Sequence, residues 1–90
     1  MKFTINGVDF HVNWAHDPNF ETEISKGMTT CCINVNDFDT VRNAFCSKKD
    51  AFCRQTGRKV SFAKAVINLT DDAEIREKLW DEYFKKWPLK

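Results

Sequence analysis

The chain predicts an α+β fold: an antiparallel sheet of about four strands in the N-terminal half, covered on one face by three helices in the C-terminal half. Three observations carry this expectation. Apolar residues alternate with polar ones through most of the first half. The second half changes to helical spacing with recognisable start and stop residues. Strands followed by helices, rather than strands alternating with them, imply a sheet with its helices on one side. At 90 residues, 42% hydrophobic and 13% aromatic, the chain can fill one core but not two, so a single domain over residues 1–90 is expected.

The opening hairpin is the clearest local signal. Phe3-Thr4-Ile5 and Val8 to Trp14 flank Asn6-Gly7, a dipeptide suited to a type I′ turn because both central residues need positive φ. Pairing Ile5 with Val8 and Phe3 with Phe10 places Phe3, Ile5, Val8, Phe10, Val12 and Trp14 on one face. Residues 15–27, with Asp17-Pro18-Asn19 and several acids, read as a surface loop. The β-branched run from Met28 to Val35 predicts a strand with Cys31, Ile33 and Val35 together, and Asn36-Asp37-Phe38-Asp39 supplies a turn. Residues 40–46 fit either period, as Val41, Ala44 and Phe45 on a helix or Val41, Asn43 and Phe45 on a strand. The strand is preferred because Ser47-Lys48-Lys49-Asp50 has the form of a helix start, a Ser cap with an acid three residues on. That first helix is expected over about 48–56, stopping at Gly57. A second carries Val60, Phe62, Ala63, Val66 and Ile67. A third, capped by Thr70-Asp71-Asp72 with Glu74, carries the stripes Ile75, Leu79, Tyr83 and Trp80, Phe84, Trp87, and Pro88 closes it.

Charge is unevenly distributed behind a net +1: residues 1–41 carry −4, residues 42–64 carry +6 and residues 65–90 carry −1. The middle segment predicts a surface for an anionic partner, with Lys48, Lys49, Arg54, Arg58 and Lys59 as its contacts. Gly57-Arg58-Lys59 has two readings. Cations at the start of a helix oppose its dipole unless an anion binds there, whereas the same cations just after a helix end favourably cap the preceding carbonyls. The spaced glycines and Lys-Ser/Thr ending of a phosphate-binding P-loop are absent. The aromatic end supplies a second candidate contact, Trp80, Phe84 and Trp87, for a partner or a second copy of the chain.

No catalytic residue, metal site or cofactor is expected. Cys31 and Cys32 are adjacent and Cys46 and Cys53 stand apart from His11 and His16, so the paired spacing of a zinc site is missing. The cysteines read as thiols of a reducing compartment, since the first ten residues lack the apolar core of an export signal. Apolar runs are far too short to span a membrane. Cys53, beside Arg54 and Arg58, is the best candidate for a reactive thiol, but no motif ties it to a histidine.

The stretch from Ala44 to Ala65, AFCSKKDAFCRQTGRKVSFAKA, followed by REKLWDEY from Arg76 to Tyr83, resembles a loosely defined set of small bacteriophage proteins. These share a Cys-Ser-x-x-Asp-x-Phe-x-x-x-x-Gly-Arg-Lys segment and a terminal Arg-x-x-x-Trp-x-x-Tyr helix. The match covers the last half of the chain and departs at Ser61-Phe62, where such proteins tend to have Ala-Leu. The resemblance implies action in the host cytoplasm, as a non-enzymatic inhibitor or modulator of a host protein, antiviral defence components of the CRISPR type included. Nucleic-acid binding through residues 42–64 is the alternative.

Overall fold

The computed structural model describes residues 1–49 and 51–88. Strands β1 (Lys2–Ile5), β2 (Val8–Glu21), β3 (Ser25–Val35) and β4 (Phe38–Ser47) form one antiparallel sheet in the order β1-β2-β3-β4, and helices α1 (Arg54–Leu69) and α2 (Ala73–Lys86) follow. Asn6 and Gly7 take φ of 54° and 78°, as the tight turn demands. The expected register holds, with Ile5 opposite Val8 and Phe3 opposite Phe10. The expected inner face holds as well: Ile5, Phe10, Val12, Cys31 and Ile33 are buried, with Phe3, Val8, Trp14 and Val35 packed around them.

Residues 15–27 are mostly strand rather than loop. β2 pairs with β3 on as far as Asp17 with Met28, and resumes at Glu21 with Lys26. Pro18 and Asn19 fall in the irregular stretch between those pairs, where a residue without an N–H does least harm to the ladder. Only residues 22–24 turn, and there the Thr22 hydroxyl accepts from the N–H groups of Ile24 and Ser25.

Residues 40–46 are strand, as expected, but with the opposite face inward. Thr40 and Ala44 are buried, whereas Val41 and Phe45 are 47% and 51% exposed. The cause is proximity: α1 lies over β3 and β4, and small side chains beneath it let the helix approach. Thr40 pairs with Ile33 and Ala44 with Thr29, so the helix-facing row runs on across both strands.

Two helices stand in place of the expected three. Lys48 and Lys49 form a turn, residues 51–53 are irregular, and α1 passes straight through Gly57 without stopping. The Ser47 hydroxyl does accept an amide hydrogen bond, from Lys49, but as part of this turn; Asp50 lies outside the described residues. Gly57 is used for closeness rather than for a helix stop, since a Cβ there would overlap the Thr29 hydroxyl on β3. The buried side of α1 is Ser61, Phe62, Ala65 and Val66, and Val60 and Ile67 are exposed.

α2 begins as expected. The Asp72 carboxylate accepts from the N–H groups of Glu74 and Ile75, satisfying donors that have no partner within the helix. Arg76 secures the α1–α2 junction, donating from Nε to the Thr70 carbonyl at 2.6 Å and from Nη2 to the Ile67 carbonyl at 3.3 Å. Leu79 and Tyr83 enter the core, and Phe62 meets the rings of Trp14, Trp80 and Tyr83 there. Both helices lie on the same side of the sheet. On the other side, among the described residues, Thr30 and Asn43 hydrogen-bond at 2.8 Å, Val41 is exposed, and Phe45, half exposed, packs against the Phe20 ring at 5.6 Å.

Candidate functional site

The predicted basic segment and the predicted aromatic end meet. Arg58 and Lys59 lie in the second turn of α1, and the last two turns of α2 bring Phe84 and Trp87 against them. The Arg58 guanidinium carbon lies 3.6 Å from the centre of the Trp87 ring, and Lys59 Nζ lies 5.9 Å from that of Phe84. Lys86 approaches Trp87 as well, at 5.8 Å. Such pairs hold a cation over the electron-rich ring face and stiffen both partners. Trp87 in turn sets its edge against Trp14, with centres 6.4 Å apart and planes at 84°.

Trp80 has a different place. It sits edge-on to Phe62 at 4.9 Å and stacks on Phe84 at 5.6 Å, so it supports the cluster from the core side. Arg54 is exposed at the first position of α1. Lys48 and Lys49 stand on the turn after β4, where Lys48 Nζ is 3.6 Å from Glu21. The structure therefore unites Arg58, Lys59, Phe84 and Trp87, adds Arg54 one helical turn before Arg58, and leaves Lys48 and Lys49 on a separate turn.

Three further residues belong to this end. Trp14, His16 and Phe52 flank the start of α1, with the His16 and Phe52 rings 6.4 Å apart. A signal for His16 was present: Phe10, Val12, Trp14 and His16 continue one period-two row, which the loop reading cut short. His16 Nδ1 and the Thr29 hydroxyl share a hydrogen bond at 2.9 Å. Burial, then the charges of Arg54 and Arg58, lower its pKa by disfavouring the charged ring. Tyr83 is raised by its burial, against the opposing pull of Arg58.

The electrostatics are one-sided. The ion pairs among the described residues are Lys48–Glu21, Arg76–Asp71, Lys78–Glu74 and Lys85–Glu82. Arg54, Arg58 and Lys59 appear in none of them. The first turn of α1 also has no acidic residue and no side-chain cap hydrogen bond. Neither local reading of Gly57-Arg58-Lys59 holds: among the described residues no helix precedes them to be capped, and α1 starts at Arg54, so Arg58 and Lys59 lie in its second turn rather than at its start. The indole N–H groups of Trp14 and Trp87 and Nε of Arg58 are buried without a hydrogen-bond acceptor.

Next to this end is a cavity of about 270 Å³, bordered by Thr29, Phe45, Cys46, Phe52, Cys53 and Gly57 among others. Cys53 is the N-cap residue of α1 and exposed. The hydroxyl and amide of Thr56, chiefly, hold its thiol below the ordinary range, with Arg58 assisting. Cys31, by contrast, is buried and pushed up to about 12. His16 is engaged by Thr29 through Nδ1, and no Cys53–histidine hydrogen bond is found among the described residues. Among the described residues no group of three or more His, Cys, Asp or Glu is arranged to hold a metal ion, and no helix is long and apolar enough to cross a membrane.

Comparison with known protein families, curated proteins and solved structures finds no match to this chain.

Proposed function

We propose that this chain is a non-enzymatic binding protein that docks its α1–α2 end on an acidic surface of a partner protein and thereby changes that protein's activity. The observation that carries this reading is the set of cations outside any ion pair, Arg54, Arg58 and Lys59, in the first two turns of α1. Arg54, in the first turn, opposes the helix dipole, and no carboxylate among the described ion pairs offsets the charge of any of the three. An acidic partner would supply the missing charge, and the ring-braced Arg58 loses little freedom on meeting it. The resemblance of residues 44–83 to small phage proteins supports a bacterial host as the source of the partner, an antiviral defence component being one such target.

The test is capture from host lysate with the intact chain and with the Arg54→Glu/Lys59→Glu variant, both positions being exposed. A stoichiometric protein that survives nuclease, is lost by this variant and is retained by Lys85→Glu is the expected result. Truncating Trp87 to Ala should then weaken the complex by about 2 kcal/mol, roughly 30-fold, mainly through a faster off-rate. Capture of nucleic acid with a steep loss of affinity on raising salt would instead establish the alternative, phosphate contact by the 42–64 segment.

A further inference from the structure

We propose that Cys46 and Cys53 are a redox pair that closes into an intramolecular disulfide across the mouth of the cavity between β4 and α1. Three geometric facts bring them together. Both border the same cavity. The Cys46 thiol lies 3.6 Å from the carbonyl oxygen of Ala51, two residues before Cys53. Gly57 presses on Thr29, which pairs with Ala44, and this contact sets the level of the helix over the strand. From there Cys53 is four residues back along α1, about 6 Å of rise. Cys46 is two residues on along β4, about 6.7 Å, and on the same helix-facing side as Ala44. The two displacements run in the same direction because α1 folds back over β4. Residues 51–53, which lead into α1, are irregular, so Cys53 can shift toward β4 at the cost of no more than the first helical hydrogen bond, from the Gly57 N–H to the Cys53 carbonyl.

The chemistry divides the two roles. Cys53 is exposed at the helix start, where amide groups favour its thiolate; Cys46 is half-buried behind it. With hydrogen peroxide as oxidant, the Cys53 thiolate attacks one peroxide oxygen. The O–O bond breaks, Cys53 becomes a sulfenic acid, and hydroxide leaves and is protonated to water. The Cys46 sulfur then attacks the sulfenic sulfur, the S–O bond breaks, and a second water leaves with the Cys46 proton. Two thiols and one peroxide give one disulfide and two waters.

The experiment uses the folded full chain, treated with one equivalent of peroxide, blocked with iodoacetamide, digested with trypsin and read by mass spectrometry. Trypsin cuts after Lys48 and Lys49, so the disulfide joins two otherwise separate peptides. The expected product is that cross-linked pair, about 2 Da lighter than the sum of the reduced peptides. In Cys46→Ser, Cys53 should stop at the sulfenic acid and be trapped by dimedone. The pairing is overturned if wild-type Cys53 is also trapped by dimedone, or accumulates as sulfinic acid, while Cys46 is still alkylated in full. It is equally overturned if Cys53 is alkylated as completely after peroxide as before.

Discussion

Gly57 sits where any side chain meets the Thr29 hydroxyl. Alanine is the better helix former by about 1 kcal/mol, so in an exposed helix Gly57→Ala would stabilise. Here the added methyl must lift the first turns of α1 off β3, an overpacking cost of about 1–3 kcal/mol. The expected outcome is net destabilisation, read as a lower urea midpoint, together with faster alkylation of Cys53 as the helix start loosens. His16 is a second residue with a readable consequence. Its folded pKa lies below the ordinary 6.5 through burial and the nearby Arg54 and Arg58. The unfolded chain therefore binds the extra proton first as pH falls. Stability from this group is fully present above 6.5 and declines as pH drops through the folded value. Denaturant midpoints at about pH 7.5 and about pH 5 should differ more in the natural chain than in His16→Gln, which keeps a hydrogen-bonding partner for Thr29 without the titration.

At the scale of elements, β4 is the longer of the two edge strands of the sheet, and two of its carbonyls are occupied. Arg42 donates to the oxygen of Val41 at 2.7 Å, and Lys64, reaching down from α1, donates to that of Asn43 at 3.0 Å. Cations placed this way blunt an edge that would otherwise accept a foreign strand. Arg42→Ala/Lys64→Ala should leave the fold intact and raise self-association, checked by light scattering against concentration. The elements themselves were unevenly legible. The Asn6-Gly7 hairpin and the Asp72-capped α2 were readable because each is specified by a few neighbouring residues. The expected helix over 48–56 was not realised. Its signals were local, a Ser followed by an acid and a later glycine, whereas the demands that decided the outcome were tertiary: β4 runs on to Ser47, and Gly57 is needed against β3. β4's face was misread for a related reason, since the pattern Val41, Asn43, Phe45 is the more apolar row, yet close helix packing selects the smaller Thr40 and Ala44.

Across the whole molecule the design is a two-layer slab, 43 × 32 × 20 Å, with one packed face and one open one. Two phenylalanines test this division. Phe62 is fully buried between the layers and Phe45 is 51% exposed on the outer face. Phe62→Ala should cost about 3–5 kcal/mol, whereas Phe45→Ser should cost under about 1 kcal/mol, both by denaturant titration. The candidate site was half legible at this scale. Charge counting along the chain located the cations, and helical spacing located the aromatics. Their meeting depends on how α2 folds back beside α1, which neither pattern encodes. His16 and Phe52 joined them only through the sheet and the irregular residues before α1.

The strand order has a further consequence, for synthesis. Every strand pairs with its neighbour in the chain, so the sheet can assemble in the order in which it is made, hairpins closing in about 1–10 μs. The helices come last. At about 5–20 residues per second, translation of Arg54 to Lys86 takes roughly 2–7 s, and throughout that interval Val12, Cys31 and Ile33 present an uncovered apolar face. The nascent chain thus passes through a sticky, half-finished state roughly 10⁵–10⁷ times longer than its hairpins need to form, and a ribosome stalled before α1 would leave it there.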